Sequence, residues 1–437
     1  MDNLNNEQRS IIDAIIAGKN VFMTGCGGTG KTYTIKTIMD IIPAIKIGPS
    51  GPWRICLTAL TGCAAILLGG SATTLHSHAG IGLGEGTVPV LVERIRKNPR
   101  ARKRWTQIDM LIVDEVSMLH AELFEKLNEI GKILRRCTHK PFGGIQLLFV
   151  GDFYQLPPII KGDITDDTPI FAFESPSWPT CFDTIIELKE NHRQRDPQFQ
   201  KMLQEARVGY LSTESSVLLK SRQGIDWKCL RIRPTLLFPR RREVDDINEA
   251  NLKALPGVKK ILAATIENKS EFRLDDVNIK RAVDYLDKES TAYQVNLVIA
   301  KDAQVMLTYN IDIELGLVNG SRGVVLGIDS LGAPVVEFMN GYRASIPRQQ
   351  WELKDFPGIY RVQYPLRLAY AITIHKCQGS TLDCALIDIG PNIFEYGQAY
   401  VALSRVRSLD SLYVYNFTQD AIMVNTRVQE FYKKKII

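Results

Sequence analysis

The octapeptide Gly25-Cys26-Gly27-Gly28-Thr29-Gly30-Lys31-Thr32 constrains this chain more than any other stretch. It stands between a short apolar run, Val21-Phe22-Met23, and a segment from Lys31 to Ile42 with apolar residues at helical spacing. Strand, glycine-rich turn and helix form the setting in which a G-x-x-x-x-G-K-[ST] pattern binds phosphate. The glycines let successive N–H groups turn toward phosphate oxygens at the positive end of the new helix. Gly25, Gly27, Gly28, Thr29, Gly30, Lys31 and Thr32 are therefore the expected nucleotide-binding set. Lys31 is placed to reach the outer phosphates of a nucleotide, and the Thr32 hydroxyl to hold Mg2+. A glycine-rich turn with a surface lysine would leave Thr32 and the flanking strand unexplained.

A chain of 437 residues is long enough for two or more domains with full cores. Hydrophobic content of 45% and charged content of 23% fit an ordinary soluble protein. No stretch approaches the roughly 20 apolar residues that span a bilayer, so no membrane partner is expected. The first residues, Met1-Asp2-Asn3-Leu4-Asn5-Asn6-Glu7, are polar and acidic, unlike a secretory signal or a mitochondrial presequence. Eight cysteines without a C-x-x-C pair or zinc spacing point to a reduced, intracellular protein lacking structural metal. Net charge is only +6, but seven basic residues fall between Arg94 and Arg104, and Arg240 to Arg242 form another cluster. Such runs are either solvated helix faces or polyanion contacts.

A phosphate loop needs a distant carboxylate to complete its metal site. Ile108-Asp109-Met110-Leu111-Ile112-Val113-Asp114-Glu115 supplies one, as a buried strand signal ending in two acids. In a parallel sheet the carboxyl ends of strands open onto the ligand crevice. Asp114 is expected to hold Mg2+ through water, and Glu115 to orient and deprotonate the attacking water. An adjacent Asp-Glu pair favours hydrolysis over transfer to a metabolite hydroxyl. The alternative, a helix start with an acidic first turn, lacks the upstream phosphate loop as support. A third apolar run, Gln146 to Val150, leads into Gly151-Asp152-Phe153-Tyr154-Gln155-Leu156-Pro157-Pro158. There Gln155 can sense a γ-phosphate by hydrogen bonding.

Taken in order, these motifs resemble the petite-integration-frequency (Pif-one type) DNA helicases of superfamily one, subgroup B. The likeness begins at Leu4-Asn5-Asn6-Glu7-Gln8, where Gln8 would read adenine. It includes Leu57 to Ala65, Thr73 to Gly80, Val113 to Met118 and Gly151 to Pro158. It continues through Asn191-His192-Arg193-Gln194, in which Arg193 would face the triphosphate. Asp196, Phe199, Leu203, Arg207 and Gly209 fall at the spacings of the family's signature. Thr373-Ile374-His375-Lys376-Cys377-Gln378-Gly379-Ser380-Thr381 resembles the fifth motif, with Gly379 on the nucleotide. Tyr400-Val401-Ala402-Leu403-Ser404-Arg405-Val406-Arg407 resembles the sixth, with Arg405 as a second arginine finger. Arginine's fixed fork of donors and permanent charge suit phosphate oxygens. Cys26 and Cys377 depart from the small residues usual at their positions. A thiol at a helix N-terminus tends toward thiolate, but a tolerated small residue is the better explanation of Cys26.

The resemblance implies an α/β fold with two RecA-like P-loop NTPase cores, a small wedge insertion and a β-barrel insertion. The first core is expected over residues 1–76 and 106–184, and the wedge over 77–105. The second core is expected over 185–245 and 364–437, and the barrel insertion over 246–363. Strand signals at 21–24, 54–59, 110–113, 146–150, 184–188, 234–238, 385–389 and 412–415 agree with two sheets. Asn319-Gly320 between apolar runs signals a hairpin. The implied activity is ATP-dependent movement along single-stranded DNA, 5′ to 3′, with unwinding of duplex DNA. Thr58, Thr61 and His76 would touch the strand from the first core, and His375, Lys376 and Thr381 from the second. Single-stranded and forked DNA are the expected partners, with single-strand-binding or replication proteins as further ones, and the protein is expected to act as a monomer. Alternatives are a single-strand translocase without unwinding and an RNA helicase. A metabolite kinase would leave everything beyond residue 190 without a role.

Overall fold

The computed structural model describes residues 4–48, 51–69, 72–159, 165, 168–228, 230–271, 273–289, 293–312, 314–353 and 356–435. Its chain divides into two units. One comprises 1–215, 394–404 and 422–437; the other comprises 216–393 and 405–421.

The first unit is built on a six-stranded sheet. Its order is Thr73–Thr74, Ile55–Ala59, Met110–Asp114, Gln146–Val150, Val21–Gly25 and Thr184–Leu188. Every neighbouring pair is parallel. Strands buried on both faces read as unbroken apolar runs, which is why Leu111-Ile112-Val113 and Leu147-Leu148-Phe149-Val150 were legible without alternation. An aromatic cluster fills one face: Trp178 lies 5.3 Å from Phe22 and 4.4 Å from Phe182. The last helix, Thr426–Lys435, closes this core with Phe431, whose ring stacks on Phe173 at 4.3 Å. In the stretch expected as the wedge, helices Val88–Lys97 and Pro99–Gln107 form a packed pair, burying Leu91, Val92, Ile95, Ala101 and Trp105.

The second unit holds a four-stranded parallel sheet in the order Ala371–Thr373, Thr235–Phe238, Ala385–Ile389 and Leu412–Phe417. It also holds a five-stranded antiparallel sheet: Arg343–Ser345, Pro334–Phe338, Arg322–Ile328, Gln304–Leu307 and Leu366–Leu368. Two parallel sheets in an α/β chain agree with the expected fold class. All eight signalled strands form, and Thr73–Thr74 and Ala371–Thr373 are additions too short to leave a pattern.

Several expectations are corrected. The antiparallel sheet has two edge strands, Arg343–Ser345 and Leu366–Leu368, and no pairing closes it into a barrel among the described residues. Asn319-Gly320 does lie between antiparallel strands, but as part of a long connection pinned by an Asp312–Leu317 bridge, not as a tight hairpin turn. The domain boundaries also shift. Residues 185–215, 394–404 and 422–437, expected in the second core, belong to the first unit. Strand Thr184–Leu188 pairs with Val21–Gly25, and the helix Pro197–Arg207 after it stays with that sheet.

Candidate active site

The phosphate loop forms as the motif requires. Gly28 and Gly30 have φ of 95° and 85°, which side chains rarely adopt, and helix Lys31–Ile45 starts at once. A methyl at Gly28 would lie 2.7 Å from Arg193 Cβ and from Asn191 Oδ1. The 191–194 segment is thus pressed against the loop. His192 N–H donates to the Gly28 carbonyl at 2.9 Å, and Asn191 Oδ1 accepts from the amides of Arg193 and Gln194. Gln8 caps the first helix reciprocally with Asn5, and its Nε2 would be 3.1 Å from a methyl on Gly30. Lys31 Nζ donates to the carbonyls of Gly25 and Cys26 at 2.6 and 2.8 Å. Burial lowers its pKa against the raising pull of Asp152 and Glu115.

Asp114 and Glu115 end a strand two places from the phosphate-loop strand, with Gln146–Val150 between them. Burial, reinforced by Glu115, raises the Asp114 pKa to about 7, although the Glu115 amide donates to its Oδ1 at 2.8 Å. Glu115 has φ 57° and ψ 42°, a left-handed conformation costing a non-glycine residue roughly 1–2 kcal/mol. Such strain is held by the surroundings and turns the chain sharply off the sheet. A buried carboxylate short of positive charge, facing a phosphate loop whose helix offers Thr32, is a donor set that fits Mg2+.

Gln155 lies buried after the next strand, on a loop fixed by an ion pair absent from the sequence-derived site. Asp152 and Arg207 meet through two bonds, Nε–Oδ2 at 2.9 Å and Nη2–Oδ1 at 3.0 Å, and Arg207 also reaches Glu187 at 3.2 Å. Burial opposes the Arg207 charge, but Asp152 outweighs it and holds the guanidinium pKa well above its ordinary value. The cation lies over the rings of Tyr154 and Tyr432. Tyr432 ties this group to the phosphate-loop strand: its hydroxyl lies 2.7 Å from Thr24 Oγ1 and accepts from the Phe153 amide. Helix Gln398–Leu403 completes the unit. Tyr400 Oη accepts from the Gly27 amide at 2.9 Å, and the Ser404 carbonyl accepts from Arg193 Nη1 at 2.9 Å. A methyl on Gly397 would lie 2.4 Å from the Tyr154 carbonyl, so that helix can start there only on glycine.

The first unit therefore brings together Gln8, Gly25, Gly27, Gly28, Thr29, Gly30, Lys31, Thr32, Asp114, Glu115, Gln155 and Arg193. Arg405 and Gly379 belong to the second unit, where Arg405 is buried and its Nη1 donates to the carbonyls of Cys377 and Ser380.

The strand-contact candidates divide. Thr58 is corrected: it is fully buried and donates its hydroxyl to the Ile112 carbonyl at 2.7 Å, so it faces the sheet interior. Thr61 is half-buried and caps helix Gly62–Leu68 through the Ala64 amide. His76 is half-buried, and burial with neighbouring His120 lowers its pKa, favouring the neutral ring. His375, Lys376 and Thr381 are half-buried in the second unit, and burial lowers the His375 pKa. Cys26 is corrected too: burial raises its thiol pKa, so it does not tend toward thiolate.

Over residues 3–224 the chain matches the family described as PIF1-like helicase, and over 294–328 the 2B domain of DNA helicase Pif1. This chain belongs to the PIF1-like helicase family. The ATP-dependent DNA helicase PIF1 of Danio rerio is 41% identical across 99% of this chain and 64% of its own length. The crystal structure of Pif1 helicase from Candida albicans covers 99% of this chain and 100% of its own, with 35% identity and a TM-score of 0.78. The Bacteroides Pif1 structure in complex with ADP-AlF3 and ssDNA covers 99% of this chain and 98% of its own, at 26% identity and a TM-score of 0.64. The chain spans a little under two thirds of the PIF1 relatives of Danio rerio, Homo sapiens and Xenopus laevis that it matches.

Proposed function

We propose that this PIF1-like chain is an ATP-driven DNA helicase that tracks along single-stranded DNA, 5′ to 3′, and opens duplex DNA. The observation that carries the reading is the convergence of phosphate loop, Asp114-Glu115, Gln155 and Arg193 at one end of the first unit's parallel sheet. The name of the Danio rerio relative supports ATP as substrate and DNA as track. The ADP-AlF3 and ssDNA held by the Bacteroides protein support the same pairing.

In this reading the loop amides cradle the triphosphate, and Lys31 exchanges the Gly25 and Cys26 carbonyls for phosphate oxygens. Gln8 holds the base. Thr32 and Asp114 would hold Mg2+, which supplies charge neutralisation to the phosphates when bound. Glu115 takes a proton from the attacking water, at a contribution of roughly 10²–10⁴-fold. Gln155 senses the γ-phosphate, and the Asp152–Arg207 pair fixes the loop that carries it. Arg193 and, from the second unit, Arg405 stabilise the charge that develops during cleavage, so hydrolysis responds to the state of the DNA-holding segments. Thr61, His76, His375, Lys376 and Thr381 are the groups proposed to grip the strand; Thr58 is withdrawn from that set.

The test uses duplexes with 5′ or 3′ single-stranded tails, ATP and Mg2+, with Lys31→Ala as control and RNA tails alongside. Opening from the 5′ DNA tail, lost in Lys31→Ala, is the expected result. Opening from the 3′ tail alone reverses the polarity. Stimulation of ATP hydrolysis without strand release reduces the function to translocation.

A further inference from the structure

The hydrolysis cycle proposed for this chain gives no task to the antiparallel sheet of the second unit, yet one turn of that sheet is pressed onto the fifth-motif segment. Between strands Gln304–Leu307 and Arg322–Ile328 the chain passes through Asn319-Gly320-Ser321. Gly320 has φ 92°, and a methyl on it would lie 2.4 Å from the Thr381 carbonyl oxygen. A residue without a side chain is what lets these two backbones approach so closely. The turn is braced from behind. The Gly320 amide donates to the Leu307 carbonyl at 2.9 Å, and the Leu307 amide to the Ser321 carbonyl at 2.9 Å. Asn319 Nδ2 donates to the Thr308 carbonyl at 3.1 Å, and Ser321 Oγ to the Gly316 carbonyl at 2.8 Å.

Arg322, at the end of this turn, is fully buried, and burial lowers its pKa. Its amide donates to Asp383 Oδ2 at 3.4 Å, and its Nη1 donates to the Arg233 carbonyl, just before strand Thr235–Phe238 of the parallel sheet. Its Nε has no acceptor among the described residues. For stability alone, an apolar side chain of similar volume joins two sheets as well as a buried guanidinium or better. The arginine therefore points to placement of what it touches.

The contacts at Thr381 and Asp383 bracket Leu382. That residue is buried, its amide donates to the Arg405 carbonyl at 2.9 Å, and it pairs with Val406 as a parallel bridge. At the other end of Arg405, Nη1 donates to the Cys377 and Ser380 carbonyls at 3.4 and 3.3 Å. Backbone and guanidinium of Arg405 thus both rest on residues 377–382, and Thr381 rests in turn on Gly320. We propose that Gly320 and Arg322 are positioning residues: the antiparallel sheet sets where Thr381 to Asp383 lie and, through the Leu382 amide, where Arg405 lies. The sheet touches no reacting atom itself. This rests on the reading of Arg405 as a group that stabilises charge during ATP cleavage, and it gives the sheet a part in that step. Thr381 belongs to the proposed strand grip, so a bound strand and the sheet behind it bear on the same peptide group.

The test uses Gly320→Ala and Arg322→Met in the full chain, each alone and combined with Arg405→Ala. Arg322→Met keeps most of the volume and removes a buried charge, so its thermal midpoint should be unchanged or higher. Single-turnover ATP hydrolysis is measured on saturating oligo-dT, and nucleotide affinity with a fluorescent ATP analogue. A misplacement of about 1 Å at a reacting group costs on the order of 10²-fold, so each substitution should slow hydrolysis by roughly 10- to 100-fold. Nucleotide affinity, set by the first unit, should stay within about two-fold. In the Arg405→Ala background the same substitutions should cost less than about two-fold more, because residues that act through one group are not additive. Unchanged hydrolysis in Arg322→Met, or equal losses with and without Arg405, overturns the proposal. Loss of folding in Arg322→Met makes that residue structural and overturns it as well; should Gly320→Ala alone fail to fold, Arg322→Met decides. Absence of oligo-dT-stimulated hydrolysis in the unsubstituted protein would instead reject the helicase reading itself.

Discussion

Each unit has a parallel sheet of its own, and the two differ in what stands at the carboxyl end of its strands. In the first, that end carries the phosphate loop, two carboxylates, a buried ion pair and two tyrosine hydroxyls bonded to backbone amides. In the second, the fifth-motif turn comes after strand Ala371–Thr373, and Arg405 is held by two of its carbonyls. In the proposed function, one sheet holds the triphosphate and the other positions a guanidinium. On that reading, binding chemistry belongs to the first unit, and the second contributes only when the reaction proceeds.

If so, the largest effects come from the first unit. Lys31→Ala and Glu115→Gln should each lower steady-state ATP hydrolysis by roughly 10²–10⁴-fold. Only Lys31→Ala should also lose nucleotide affinity, as measured with a fluorescent ATP analogue. Equal affinity losses would break the distinction between the binding and reacting groups. Next comes Arg207→Met, which leaves Asp152 charged and buried without its partner. A loss of about 3–5 kcal/mol in urea unfolding is expected, and a loss under about 1 kcal/mol would show that the loop is fixed by other contacts.

A smaller, pH-dependent effect arises at Asp114. Its folded pKa is raised from 3.8 to about 7, so the ionised carboxylate opposes folding of the nucleotide-free protein. That opposition is absent below the ordinary value and complete above about pH 7. Asp114→Asn should therefore raise Tm by about 2–4 °C at pH 8, and by progressively less toward pH 5. A difference that does not vary with pH would contradict the raised pKa. The smallest effect is expected for Tyr432→Phe. It removes the acceptor of the Phe153 amide and the partner of Thr24, for about 1 kcal/mol in the same urea assay.

The same division governs how much of the molecule was legible in its sequence. Phosphate chemistry admits few residues, so Gly28, Gly30, Lys31 and the Asp114-Glu115 pair stood out, and their strands were marked by apolar runs. Asp152 and Arg207 were visible only as members of motifs, since a pairing across 55 residues leaves no local pattern. Tyr432 gave no signal, because a tyrosine in an amphipathic helix does not reveal which loop it will meet. Thr58 misled for a related reason. Its strand is covered on both faces near its end, and hydroxyl burial against the Ile112 carbonyl cannot be read from alternation. The boundary after residue 184 was misplaced because the helix carrying Arg207 comes after a strand of the first sheet, while its spacing resembles any amphipathic helix.

The most direct test of the division of labour is Arg405→Ala, measured for nucleotide affinity and for single-turnover ATP hydrolysis on saturating single-stranded DNA. Affinity retained within about three-fold, with hydrolysis slowed by about 10³-fold or more, is the predicted result. Hydrolysis at the unsubstituted rate would contradict the account, since the nucleotide site would then need nothing from the second unit.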